Sequence, residues 1–561
     1  MKLFNKLMAA TLILGMAACS SDENGGGQSP EKPGSNDVIY SSIAFRMPKK
    51  KSPARSTEKE GEEAGQTYEN NVGSILVVLA TKDAADNSYK FVTYALNDAP
   101  LTDAASSKHT IVFQDKEALY NLAGETGDGE TVYVFAYCNP TLELRTKVAG
   151  TLNTTSGVYE GGMATGETFT DLICDTNIES TWSKNSFLMT SIGETTGVHS
   201  VKMPSKATLQ TYNTPANAFP LGTVEVIRTA CRFDFRDAAP EADTKPLTYT
   251  VYNEDVTPRV AVADVKLTRV AMFNLRNEFY YLPRTKATAD AADITLCPTF
   301  DGMEDGFIIS PDATTITENL PEVIDPLNPT TSLKWVSLEA VLGLDEDSDD
   351  GWGESVTPAT DKEGYHIWRY ATENTTVPGA DPTAAATTGY VFESEIIAPE
   401  GFGNIGENGE KLVMYLYNNK LYPSAMAIAK EVENVPVSTL ATAFENAFTL
   451  TKDATGKVTA AEPKSDEIVE NMGFTAYKPN TEGKYLAYYF AFNKHNDDED
   501  VTTYGDMEFA TVRNNVYKLA VTSVKKFGTF KPNENVEEWD TYFTLDVKVR
   551  NWVVRINNLE F

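Results

Sequence analysis

Histidine is almost missing from this chain: there are four in 561 residues. That leaves little material for histidine-based metal or acid–base chemistry. Cysteine is scarce as well, five in all, and none stands in CxxC spacing. Positive charge is outweighed, with 48 Lys and Arg against 80 Asp and Glu and a net charge of −32. A nucleic-acid binder carries a basic surface, so that class is disfavoured. The one long apolar run lies at the extreme N-terminus and is too short to span a bilayer, which excludes a polytopic membrane protein. HExxH and GxSxG motifs are absent. What is present is 41% hydrophobic and 10% aromatic residues, enough for real cores. Thr, Asn, Tyr and Val are plentiful and favour strands and turns over helices. The length fits two or three domains.

The first segment reads as an address. Lys2 and Lys6 form a short positive region, and Leu7 to Gly15 is apolar over the length of a secretory signal. It ends in Met16-Ala17-Ala18-Cys19, which resembles a lipoprotein signal-peptidase site with Cys19 as the lipidated residue. A dual-chain anchor of that kind holds a protein firmly to a membrane. Residues 20–37 are polar and rich in Gly, Ser and Pro, the composition of a flexible tether. Cys138, Cys174, Cys231 and Cys297 remain beyond it. Four cysteines allow three pairings, and buried free thiols are the favoured reading.

The body reads as all-β. Alternating or continuous apolar runs of strand length occupy residues 74–80, 131–138, 223–235, 261–274, 411–417, 484–492, 515–527 and 542–556. One short helix is predicted over residues 438–448, with Ser438 as N-cap. The polar, Pro-containing stretch Asp237 to Lys245 predicts a boundary after Arg236. It divides the body into 56–240 and 241–561, behind 1–19 as signal and 20–55 as tether and leading strand.

Several patterns imitate chemistry. Gly401-Phe-Gly403-Asn-Ile-Gly406 matches GxGxxG, but a strand rather than a helix follows, so a hairpin loop is expected. Asp345 to Gly351 resembles a calcium loop with its glycine one position late and no closing glutamate; a solvated acidic loop is favoured. His495 to Asp500 reads the same way. His109, His199 and His366 are scattered. Paired carboxylates of the glycosidase kind are not readable from local spacing. Trp182, Trp352 and Trp368 would suit sugar stacking if exposed, although core packing is the commoner use. No catalytic residue, cofactor site or metal site is expected.

The C-terminal third carries a family resemblance. Val512 to Gly528 (VRNNVYKLAVTSVKKFG) and the ending Tyr542 to Phe561 (YFTLDVKVRNWVVRINNLEF) resemble the fimbrillins of Bacteroidales, and most of all the shaft subunit of a minor fimbria. Tyr40 to Pro48, followed by Ala54-Arg55-Ser56, is similar to that family's leading strand and processing site. Val132 to Pro140, Val224 to Arg232, Asn277 to Arg284, Tyr390 to Pro399 and Gly406 to Gly409 also fit. The acidic residues after Cys19 resemble a surface-export signal of lipoproteins from the same bacteria.

The resemblance implies two tandem transthyretin-like β-sandwich domains with elaborated loops and a few short helices. It implies export as an outer-membrane lipoprotein and a cut by a trypsin-like protease between Arg55 and Ser56, with Lys51–Ser52 as a rival bond. The cut would displace a leading strand whose Ile43, Phe45 and Met47 share one face. It leaves 40 basic residues against 76 acidic ones, a charge of −36, which favours solubility. A donor strand from another copy, with Trp552, Val554, Ile556, Leu559 and Phe561 as its anchors, would fill the groove. The first three share one face and the last two the other, so a bulge near Asn557-Asn558 is expected to shift the phase. The implied partners are further copies in a filament, accessory and anchor subunits, and host or bacterial surface ligands, with no nucleic acid. Two other readings remain open: a tip or accessory adhesin of the same fold, and a glycan-binding lipoprotein or glycosidase anchored through Cys19.

Overall fold

The computed structural model describes residues 38–46, 61–97, 108–113, 115–175, 178–253, 256–311, 316–325, 333–344, 364–375, 382, 386–496, 504–505, 507–531 and 542–553. The fold is all-β with short helices, 44% strand and 15% helix. Three large sheets organise it.

The first sheet is built from β1 (Tyr40–Arg46), β3 (Ile75–Lys82), β4 (Tyr89–Asn97), β5 (Lys108–Val112), β6 (Thr131–Cys138), β7 (Met189–Ser191), β8 (Ser200–Lys202) and β9 (Phe219–Arg228). Its order is β4-β3-β6-β7-β9-β1-β5, with β8 beside β6. One face of its strands presents Ile75, Val77, Leu79, Val132, Val134, Ala136, Val224 and Val226 to a single core. The second sheet contains β2 (Gly61–Ala64), β10 (Ala230–Asp237), β13 (His366–Thr372), β16 (Asn515–Val524) and β17 (Phe543–Val553), in the order β2-β17-β16-β10-β13. The third runs β11 (Thr248–Asn253), β12 (Val260–Phe273), β14 (Gly389–Ile397) and β15 (Tyr485–Phe492) in sequence order.

The second sheet lies between the other two. Cys231, Phe233, Phe235, Tyr517, Leu519 and Val521 form a core with Val265, Leu267, Tyr390 and Phe392 of the third sheet. The alternate residues Ala230, Val516 and Ala520, with Ile367 and Tyr370, join the core of the first sheet. This follows from the period of two along a strand, which sends neighbouring side chains to opposite faces. Both faces of β10 and β16 are therefore covered, and their sequences run nearly apolar throughout.

One expectation needs correction. Residues 223–235 form two strands of different sheets: β9 ends at Arg228, and β10 begins at Ala230 in the second sheet. The change of sheet falls at Thr229. Asp237 to Lys245 connects β10 to β11, and the Asp237 carboxylate accepts from the Ala239 and Leu247 N–H groups at 2.9 and 2.6 Å. In addition, residues 61–64 pair with β17 and not with the strands that follow them in sequence.

Residues 414–477 build a small body with its own core, where Phe444, Phe448, Ile428, Tyr415 and Phe474 are buried together. Its helix Thr439–Ala447 forms where predicted, and the Ser438 hydroxyl accepts from the Ala441 N–H at 3.1 Å. This is the N-cap that satisfies an otherwise unpaired helical donor.

Candidate functional site

β1 is the leading strand expected from the sequence. It sits inside the first sheet rather than at its edge, parallel to β9 and antiparallel to β5. Ile39, Ile43 and Phe45 are buried in the common core. Each such side chain contributes about 1.5–3 kcal/mol of burial. Ser41 shares their face at 0% exposure, and its hydroxyl has no hydrogen-bond partner. Arg46 ends the strand at the surface, with its guanidinium 2.7 Å from the Glu225 carboxylate.

The two walls of this slot differ. β9 carries a bulge: Ser42 stands opposite Pro220 and Ala44 opposite Thr223. Gly222 in the bulge has φ +86°, and a Cβ there would meet the His199 ring at 2.9 Å. A side chain would be strained on both counts. His199 is fixed by contacts from Nδ1 to Glu194 at 2.9 Å and from Nε2 to the Leu221 carbonyl at 2.6 Å. The other wall, β5, has β1 as its only ladder neighbour among the described residues. His109 of β5 is buried and packs its ring on Phe45, centroids 5.6 Å apart.

Past the segment that holds the expected cut, the chain is held by charge. β2 runs parallel to β17, with Glu63 opposite Trp552 along the ladder. Helix α1 (Thr67–Asn70) follows. Glu63 and Glu69 are buried at 3% and 0% exposure. Lys518 of β16 reaches Glu63 at 2.8 Å. Arg232 of β10 donates to Glu69 at 3.1 Å and to both oxygens of Asp234 at 2.9 and 2.8 Å. The Tyr370 hydroxyl donates to Glu69 as well. Arg228 donates to the Glu69 carbonyl at 3.3 Å and to the Asn70 side chain. Burial pushes Arg228 down to about 9 and Asp234 up to about 6. Three cations and three carboxylates thus meet in one dry cluster. Such charges are tolerated only when paired. Asn71, Gly73 and Asn185 tie the same segment to the first sheet through Asn139 and Asn71 side-chain bonds of 2.6–2.7 Å.

The C-terminal strand β17 lies in the second sheet of its own chain. Residues 551–553, which include the anchor Trp552, belong to β17 of their own sheet and pair with β2. Asn551 pairs with Asn515 of β16, and β2 runs along all three. Val554, Ile556, Leu559 and Phe561 lie outside the described residues, as do Cys19, Met47, Arg55 and Ser56. The sequence reading missed Glu63, Glu69, Arg228, Arg232 and Lys518. A signal for Arg228, Arg232 and Lys518 is readable, since charges interrupt otherwise apolar strands in VIRTACRFDF and NVYKLAV; Glu63 and Glu69 have none.

The remaining candidates are dispersed. Cys138, Cys174, Cys231 and Cys297 are buried free thiols. The GxGxxG glycines form a loop that leads into the strand Met414–Tyr417, as expected. Trp368 is buried, Trp182 packs on the first core, and Trp352 and residues 345–351 lie outside the described residues. His495 bonds the Tyr517 hydroxyl at 2.9 Å. No group of three or more His, Cys, Asp or Glu is placed to hold a metal ion, and no helix is long and apolar enough to cross a membrane, among the described residues.

Residues 482–558 match the family model described as Major fimbrial subunit protein type IV, Fimbrillin, C-terminal. β15, β16 and β17 fall within this match, which covers the C-terminal part of the chain. No curated protein matches the chain. Among solved structures it is similar to a candidate cell adhesion protein of Parabacteroides distasonis (13% identity, TM-score 0.40, 93% of this chain and 99% of that one). It is also similar to a fimbrilin, FimA, of Porphyromonas gingivalis (10%, 0.36, 93% and 99%). A third is the tip fimbrial protein Mfa3 of Porphyromonas gingivalis with a C-terminal truncation (9%, 0.30, 92% and 100%).

Proposed function

We propose that this chain is a structural subunit of surface fimbriae, a shaft pilin that polymerises by donor-strand exchange and supports adhesion. In this reading it is exported as a lipoprotein through Cys19 to the outer membrane. A trypsin-like protease then cuts between Arg55 and Ser56, and the two sandwich domains remain as the mature subunit. Further copies, accessory and anchor subunits and surface ligands are its partners.

The observation that carries the reading is the position of β1. A strand near the N-terminus fills an interior slot of a sheet, and β1 is the only ladder neighbour of β5 among the described residues. The basic, Pro-containing segment Lys49 to Arg55 follows it in sequence. Removing β1 would open a hydrophobic groove flanked by unpaired backbone edges, which another extended strand can satisfy. A contact of that kind is head-to-tail, does not close on itself, and propagates.

The test compares the chain from residue 56 onward with the chain that keeps residues 20–55. Filaments by electron microscopy and ladders on unboiled gels are expected from the trimmed form alone, and not after deletion of residues 551–561. Monomers in every case would remove the shaft assignment. A tip or accessory subunit is the second reading. It is favoured by the home pairing of residues 551–553 with β2, which shortens the arm left to donate.

A further inference from the structure

One ion pair of the buried cluster has the surroundings of a reaction site. Lys518 Nζ lies 2.8 Å from Glu63 Oε2, and the two residues are 1% and 3% exposed. Glu63 Oε1 accepts no hydrogen bond from the described residues, and the Arg232 guanidinium stands 3.7 Å from it. Val516 and Ala520 flank Lys518 on its own strand face and join the apolar core of the first sheet, as Tyr365 does. The Tyr365 ring centre is 4.9 Å from Nζ. Asp234 stands opposite Lys518 in the ladder of β10 and β16. An amine, a carboxyl group and a second carboxylate are thus held together out of water.

We infer that Lys518 and Glu63 condense into an amide, an internal cross-link that fastens β2 to β16. The reaction needs no oxidant, cofactor or second substrate. Nζ gives up a proton and attacks Glu63 Cδ, and a C–N bond forms. The bond from Cδ to Oε2 then breaks, and this oxygen leaves as water with the two protons that Nζ has lost. Holding the two groups in contact replaces a chance encounter with a fixed one. Arg232 faces Oε1, where negative charge develops during the attack. Asp234 carries the protons from Nζ to the departing oxygen. Burial raises its carboxyl to about 6, near the working pH of such a carrier. The condensation takes one cation and one carboxylate out of the dry cluster. It leaves Arg228 and Arg232 with Glu69 and Asp234. Buried charges are costly even when paired, so the neutral amide gains here what an exposed pair would not.

The link falls where the fold needs one. β2 is four residues long and pairs with β17. The first residues of a chain are poorly ordered unless tied down. Glu63 lies behind the expected cut, so the link forms in the cut and the uncut chain alike and is independent of the donor-strand reading.

The experiment is intact mass spectrometry of the folded chain from residue 20 onward, held at neutral pH, followed by tryptic mapping. The expected mass is one water below that of the sequence. Digestion should give a branched peptide that joins the Glu63 segment to the Lys518 segment, with the bond after Lys518 uncut. Lys518→Met and Glu63→Ala should each restore the full mass. The double variant removes both charges together and keeps the comparison valid where a single change disturbs folding. Asp234→Asn should slow formation of the link at least about tenfold, and Asp234→Glu should recover part of the rate; an equal rate in Asp234→Asn would remove Asp234 from the step. A folded chain of full mass, with Glu63 and Lys518 recovered in separate linear peptides, would overturn the proposal. A loss of water that persists in Lys518→Met lies elsewhere and would overturn it equally.

Discussion

Two neighbouring stretches near the N-terminus are held in opposite ways. β1 is held by two backbone ladders and by apolar side chains in a shared core. Residues 61–72 are held by a buried charge cluster and by side-chain amides that bridge two sheets. Backbone ladders and apolar pockets are generic, because any strand of suitable pattern can satisfy them. A buried carboxylate facing a buried guanidinium is specific, because its removal leaves a charge with no solvent and no partner. The stretch ahead of the expected cut has exchangeable bonding, and the stretch behind it does not.

The strongest way to break this contrast is to remove a charge. Glu69→Ala should lower stability by about 3–5 kcal/mol, since Arg232 and Tyr370 lose their shared acceptor. Denaturant unfolding measures it, and the loss should be as large in the trimmed protein as in the untrimmed one. A cost below about 1 kcal/mol in the trimmed form would mean that residues 61–72 leave with β1. Next in size, Ile43→Ala should cost about 2–4 kcal/mol in the untrimmed chain. It should also raise deuterium uptake in β5, which depends on β1; unchanged uptake there would show β5 to be held by other means.

A pH scan sharpens the comparison further. The Asp234 carboxyl is raised to about 6 by burial, above its unfolded value. The folded state therefore keeps a proton that the unfolded chain has lost between about pH 4 and 6. Its contribution to stability falls as pH rises through that window, by at most about 1.4 kcal/mol per pH unit. Asp234→Asn should flatten this slope; a slope unchanged by the substitution assigns it elsewhere. The smallest effect belongs to the surface. Arg46→Ala breaks an ion pair whose arginine is 60% exposed, and it should shift the unfolding midpoint by less than 1 kcal/mol or so.

Much of the fold was legible in the chain. Period-two runs located β3, β6, β12, β15 and β16, because a strand buried on at least one face must alternate or run apolar. Ser438 marked a helix start. Residues 223–235 show the limit. Their uninterrupted apolar pattern reads as one strand, yet Thr229 divides two strands of different sheets. Burial on both faces erases the alternation that would have marked the break. Glu63 and Glu69 lie in a polar stretch (GEEAGQTYEN) that looks solvated, and nothing local shows that Lys518 and Arg232 will meet them.

The sequence by itself determined the all-β class, the strand at residues 40–46 with its core-facing Ile43 and Phe45, and the C-terminal likeness to fimbrillins. These depend on local pattern, and local pattern is written residue by residue. Only the tertiary structure decided that β1 is an interior strand, that β5 hangs on it, and that the segment behind the expected cut lies against β10, β16 and β17. Those relations join residues from 64 to 489 positions apart. They are fixed by which buried faces and charges find partners, and no stretch of chain carries that information alone.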